Sequence, residues 1–335
     1  PTLTPHQVEA MNMAWKFVER EYAPYMSDSR ILTLDEAYSQ LDLSSSSGPP
    51  FNAFKPLKRE LVQDQNLKKW LAEDWTSLGA CDMEWTCLFS NALKEEVRLE
   101  EKLRQNSLRT FLAGGFDAVI HGTRLFGDMN QKFYDSHLQT SSAVGLSQFH
   151  GGWDRVYDKL NRFNKGYALD ESQYDSSLWA YLMAFCARFR WRCLREEERT
   201  QENLRRILVY YRNLIYTLVV SPDGEVVMKT LGNPSGSVNT IVDNTLILAA
   251  LLAYAWIIKA PEEYNSFECY DDMTAKALQG DDNSWTVADE AHDFFNGVTV
   301  CEVLSDIGIT TTSDSYLPRR ARELDFLSAK FYKVR

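Results

Sequence analysis

The chain has 335 residues, 44% of them hydrophobic, and can bury a full core in two subdomains or one large irregular one. Its formal net charge of −11 argues against a protein that coats nucleic acid nonspecifically, because that work leaves a domain strongly basic. Any nucleic-acid contact therefore has to come from a local basic strip.

Residues 5–22 read as a helix, and the serine-rich run closed by Gly48-Pro49-Pro50 reads as a loop. Charges alternate densely from Ala92 to Arg109. A short apolar strand, Tyr167-Ala168-Leu169, runs into Asp170, after which Leu178, Leu182, Phe185 and Phe189 recur at helical spacing. A helix over about 202–216 leads into a hairpin, Thr217 to Val220 and Glu225 to Met228, turned by Ser221-Pro222-Asp223-Gly224. The loop from Gly232 to Gly236 opens a long helix with Val238, Ile241, Val242 and Leu246 on one face. Two strands flanking Gly280-Asp281-Asp282 predict a second hairpin, followed by a helix from Asp289 to about Asp306. This order is a mixed α+β plan.

Six cysteines show neither a Cys-x2-Cys pair nor zinc-ligand spacing, which predicts free thiols. The longest apolar stretch, Leu246 to Ile258, is shorter than the ~20 residues of a membrane span, so no transmembrane segment is expected. A start at Pro1 without methionine fits a processed polyprotein product or a trimmed chain.

A turn at Gly280-Asp281-Asp282 would project both carboxylates to one end of a sheet, and Asp170 would project from the same end if its strand is a neighbour. Carboxylates so grouped can hold a pair of Mg²⁺ ions ~3.5–4 Å apart, the arrangement that serves phosphoryl transfer. Alone, the triplet carries little, since Gly and Asp are what hairpin turns prefer. Asp170 and Asp175 could equally cap the helix that follows, and Asp271-Asp272 reads as a solvated loop.

The succession Asp170-x4-Asp175, then Ser235-Gly236-x3-Thr240-x3-Asn244, then Gly280-Asp281-Asp282 resembles motifs A, B and C of viral RNA-dependent RNA polymerases. Asp170 to Leu178 and the upstream Phe149-His150-Gly151-Gly152-Trp153-Asp154 look closest to the potyvirus type, within the picornavirus-like group. Lys94 to Arg98, with Lys102, Arg104 and Arg109-Thr110-Phe111, resembles the basic motif F, and Ser47-Gly48-Pro49-Pro50 resembles motif G. Ser305 to Ile309 looks like motif D, and Phe326 to Phe331, with Lys330, like motif E.

The resemblance implies a right-hand polymerase palm, an antiparallel sheet with packed helices, joined to fingers, with the thumb largely absent. It divides the chain into fingers (1–163), palm (164–199), a fingers insertion (200–231) and palm again (232–335). It implies catalysis by Asp170, Asp281 and Asp282 holding two Mg²⁺ or Mn²⁺ ions, and triphosphate binding by Lys94, Arg98 and Arg109. Ser235, Gly236, Thr240 and Asn244 would select the ribose with Asp175, an acceptor for a 2′-hydroxyl where a reverse transcriptase would place an aromatic. Thr240 and Asn244 are one helical turn apart and would reach the same spot, behind a flexible Ser235-Gly236 loop. Ser47, Gly48 and Lys330 would contact template and primer.

The implied partners are an RNA template and primer, ribonucleoside triphosphates, a protein primer and other viral replication proteins. The implied place is host cytoplasm, in membrane-associated replication complexes. In many relatives motif D supplies a lysine that protonates pyrophosphate, but here Tyr316, Arg319 and Arg320 occupy that neighbourhood, and no general acid is assigned. The alternatives are a reverse transcriptase and an inactive RNA-binding fragment.

Overall fold

The computed structural model describes residues 1–80, 85–94, 97, 100–104 and 109–332. Its strands are β1 (Leu88–Leu93), β2 (Thr110–Gly114), β3 (Lys165–Glu171), β4 (Thr217–Val220), β5 (Val226–Lys229), β6 (Thr274–Gln279), β7 (Asp282–Val287), β8 (Thr311–Thr312), β9 (Asp325–Phe326) and β10 (Ala329–Lys330). The chain forms two compact units. One comprises residues 1–27, 129–178 and 241–335, the other 28–128 and 179–240. Residues 1–27 and 129–163 thus gather with the strand that carries Asp170. Residues 179–199 gather with the other unit.

In the first unit four strands form an antiparallel sheet in the order β6-β7-β3-β8. Tyr167, Leu169, Ala277, Trp285 and Val287 are buried in it. The Pro5–Met26 helix begins in a capping box, in which Thr4 accepts the Gln7 N–H and the Gln7 side chain accepts the Thr4 N–H. The 20-residue helix Thr240–Lys259 is long and apolar enough to cross a membrane by length and composition, though 89% of its apolar window is buried inside the protein. That burial is the mark of a core helix, whose apolar residues run all round its axis. The stretch judged too short is part of a longer helix because Thr240 to Asn244 also lie in it.

The helix expected from Asp289 starts instead at Gly297. Asn296 accepts the N–H groups of Val298 and Thr299, and this cap fixes the helix start, leaving the preceding residues in turns. Asp271-Asp272, expected in a loop, belongs to the short Phe267–Met273 helix.

In the second unit β2-β1-β4-β5 forms a mixed sheet, with β1 and β4 parallel and the other pairs antiparallel. The predicted hairpin is β4-β5, and the helix read over about 202–216 is Gln201–Ile215, capped by Thr200. The described cysteines, Cys87, Cys186, Cys193, Cys269 and Cys301, are free thiols.

Candidate active site

The turn between β6 and β7 is two residues long, with Gln279 opposite Asp282. Gly280 sits at its first position with φ +66, a conformation that a tight hairpin assigns to glycine. Asp281 and Asp282 follow and are exposed at this end of the sheet. On the neighbouring strand Leu169 is opposite Asn283, so the next step of the antiparallel ladder sets Asp170 beside Asp282. Asp170 is exposed and lines, with Asp282, Ser313, Asp314 and Arg319, a cavity of about 290 Å³. Burial raises the Asp282 pKa, and the charges of Asp281 and Asp170 raise it further. The three acidic residues therefore feel one another at one end of the sheet.

Glu171, absent from the expected set, points the other way along the strand and is 3% exposed. Burial pushes its carboxyl up to about 8, against the lowering effect of the Thr311 hydroxyl that bonds it, and the Asp170 and Asp281 charges act with burial. Asn283 donates from its side chain to the Leu169 carbonyl at 3.1 Å and lies 3.3 Å from both the Glu171 carboxylate and the Asp281 carbonyl. The Gly280 N–H donates to the Thr245 hydroxyl at 2.8 Å, and that hydroxyl donates to the Ile241 carbonyl. Asn283 and Thr245 thus pin the turn to β3 and to the core helix.

Asp175 does not cap a helix. It lies within the short Tyr174–Ser177 helix, where its carboxylate accepts a hydrogen bond from the Asn244 side-chain amide. Tyr174 donates its hydroxyl to the Asn244 main-chain carbonyl at 3.0 Å, so motif A and motif B residues are joined twice.

The remaining expected residues of the B, F and G motifs lie in the second unit. Thr240 keeps its hydroxyl within 2.7 Å of the Pro234 carbonyl and 3.0 Å of that of Ser237. The hydroxyl expected to share a spot with Asn244 is thereby engaged locally at the helix start. The Ser235-Gly236 loop, expected to be flexible, is docked on β2. Ser235 accepts the Leu112 N–H at 3.0 Å, and a Cβ on Gly236 would run into the Leu112 carbonyl. Its glycine serves close backbone approach, since its φ is not positive.

Gly48 does have positive φ, +67, and packs so closely on the Gly114 carbonyl that a Cβ has no room. Ser47 is fully buried and donates to the Lys55 carbonyl at 2.6 Å, so its side chain is not presented to a template. Lys94 and Arg109 are exposed at the open end of the β1-β2 pair, where the Lys94 N–H donates to the Arg109 carbonyl at 2.9 Å. Arg98 and the side chain of Lys102 lie outside the described residues. Lys330, in the first unit, is exposed on β10, 3.7 Å from Asp325.

The family described as "Viral RNA-dependent RNA polymerase" matches residues 4–335. The chain belongs to this family. The genome polyprotein of Tobacco vein mottling virus is 31% identical over 315 residues, 94% of this chain and 10% of the polyprotein. That of Bean yellow mosaic virus is 38% identical over 168 residues, 50% of this chain and 5% of the polyprotein. The chain therefore spans a tenth or less of the length of these relatives. The Sicinivirus 3Dpol RNA dependent RNA polymerase has the same fold, with a TM-score of 0.76 at 17% identity, over 97% of this chain and 67% of that one.

The expected potyvirus-type viral polymerase family and its mixed α+β fold are thus found. Within this polymerase-family chain, the sequence reading missed Glu171, Thr245 and Asn283. Asn283 follows the Gly-Asp-Asp directly and Thr245 follows Asn244, which is the only local signal either offered. Their partners are 112 and 35 residues away in the chain, beyond the reach of local pattern.

Proposed function

We propose that this protein adds ribonucleotides to the 3′ end of an RNA primer on an RNA template, replicating the genome of a positive-strand RNA virus. The observation that carries the reading is the β3-β7 register, which sets Asp170 beside Asp282 at the end of a sheet whose turn presents Asp281. The first unit is then the palm and the second the fingers.

Carboxylate oxygens are hard donors of the kind Mg²⁺ and Mn²⁺ prefer. Among the described residues no three Asp, Glu, His or Cys side chains are already gathered as a metal cage. Mg²⁺ is commonly held by one or two carboxylates together with substrate phosphates. Asp170, Asp281 and Asp282 would hold two such ions, which when bound favour attack of the 3′-hydroxyl and charge build-up on pyrophosphate. Asp175, kept in place by Asn244, offers an acceptor to a ribose 2′-hydroxyl. Arg319, on the wall of the Asp170 cavity, is a cation that a triphosphate bound there would meet. Triphosphate binding by Lys94, Arg98 and Arg109 belongs to the same reading. The protein primer, the other viral replication proteins and the membrane-associated site in host cytoplasm belong to the same reading.

The test is primer extension on a homopolymer template with Mg²⁺. Asp281→Ala should lower the rate by at least about a hundredfold, as loss of a group that stabilises transition-state charge does. Absence of elongation by the unaltered protein would sink the reading, and deoxynucleotides used as readily as ribonucleotides would sink the role of Asp175.

A further inference from the structure

At the Thr274 end of β6, away from the Gly280 turn, a cavity of about 340 Å³ opens beside the Pro5–Met26 helix. Its size is at the lower end of small-molecule sites. Two lysines form its polar floor. Lys276 is 4% exposed, donates to the Thr274 hydroxyl at 2.8 Å, and has its Nζ 3.9 Å from the centre of the Tyr270 ring. Lys159 donates to the carbonyls of Leu138, at 3.2 Å, and Thr140. Neither lysine forms an ion pair with a carboxylate among the described residues.

Other charges line the cavity as well, and two of them, Glu21 and Asp271, attract the lysines. Arg20 is paired with Glu268 at 2.6 Å and Arg162 reaches Asp272 at 3.9 Å. Glu21 and Asp271 also line the space, and Glu21 accepts the Ser141 N–H at 2.5 Å. Each ammonium carries three donors, and Lys276 uses one of them on Thr274. A buried ammonium with no carboxylate in ion-pair contact is costly, so such a site favours either loss of the proton or capture of an anion. Burial pulls Lys159 down to about 8, against the attraction of Glu21 and Asp271, and the charge of Lys276 adds to the lowering. An anion entering here would relieve both lysines at once. Beside them, Tyr25, 37% exposed, offers an open ring, while the Phe267 ring is covered by the Arg20 guanidinium at 4.7 Å.

We propose that this cavity binds the phosphate group of a small molecule, with Lys159 and Lys276 as its charged donors and Tyr25 beside it. The site is separate from the carboxylate turn and does not rest on the polymerase reading. Its ligand is either a free phosphate or pyrophosphate, or the phosphates of a nucleotide whose base lies against Tyr25.

The test uses the unaltered protein in chelator, which removes metal-dependent binding at the carboxylates. Acetylation of Lys159 by acetic anhydride is followed by mass spectrometry, alone and with orthophosphate, pyrophosphate or ATP at millimolar concentration. A ligand at ten times its dissociation constant should slow labelling roughly tenfold, by simple occupancy. Protection by orthophosphate equal to that by ATP assigns the free anion. Protection by ATP where orthophosphate gives none assigns the nucleotide. Labelling unchanged by all three overturns the proposal. As a second measurement, Lys159→Met and Lys276→Met together should remove any ligand-induced rise in Tm, and a rise equal to that of the unaltered protein would likewise overturn it.

Discussion

The two compact units handle charge in opposite ways. In the first, Asp170, Asp281 and Asp282 stand at the end of a four-stranded sheet whose turn is held by its backbone, Asn283 reaching the Asp281 carbonyl and Thr245 the Gly280 N–H, while Asn244 holds the Asp175 carboxylate on a short helix. In the second, Lys94 and Arg109 stand exposed at the open end of a strand pair, and the precision lies in the backbone, where Gly48 packs on Gly114 and Gly236 on Leu112. Side-chain hydrogen bonds fix the segments that carry the acids, whereas glycine contacts seat the loops of the second unit. The difference teaches that a hydrogen-bonding polar residue and a tight glycine can serve the same end, fixing a loop, by different means.

That contrast can be broken at four points. Gly236→Ala should have the largest effect on stability, about 3 kcal/mol in urea unfolding, because the new methyl meets a carbonyl and not a movable side chain. A loss below 1 kcal/mol would show that the loop is not seated as described. Asn244→Asp sets a second carboxylate against Asp175 in a buried place. Single-nucleotide incorporation should fall about a hundredfold with the circular dichroism unchanged, and a rate within twofold of the original would refute the pairing.

Asp117 tests the second unit by pH. It is 6% exposed and burial raises its carboxyl to about 6, partly offset by His121. A raised acid binds more protons folded than unfolded, so its contribution is complete below its usual value and is lost as pH rises through about 6. Asp117→Asn should therefore flatten the fall in stability between pH 4 and 7 by about 2 kcal/mol, read from urea midpoints. An unchanged slope would remove Asp117 as its source. The mildest change is Gly280→Ala in the acidic unit. Its φ is +66, yet the nearest atom to a new Cβ is the end of Ile241 at 3.1 Å, which can move. About 1 kcal/mol is expected in the same unfolding measurement.

Much of this was legible beforehand, for reasons that differ by residue. The Gly280 turn was readable because two-residue hairpins demand glycine, and the β4-β5 hairpin because its turn residues are equally demanding. Asp175 and Asn244 were readable through motif spacing, and the structure joins them by a hydrogen bond. The start of the Gly297–Asp306 helix was misplaced because Asn296 looks like any polar residue until its side chain is seen to accept two N–H groups. Helix periodicity places Thr240 on the face of Asn244 and says nothing of the Pro234 and Ser237 carbonyls that its hydroxyl meets. Glu171 was passed over because neighbouring acids look alike in sequence, while a strand sends them to opposite faces.

That alternation at the end of β3 has a consequence for how the strand finds its place. A slip by one residue would still offer a carboxylate at the outer position, glutamate for aspartate, so charge alone cannot reject the wrong alignment. Rejection falls to Tyr167 and Leu169, which the slip would turn toward water while forcing Ala168 and Asp170 inward. The aliphatic and aromatic residues two and four places ahead of Glu171 are thus the proofreaders of the acid's address.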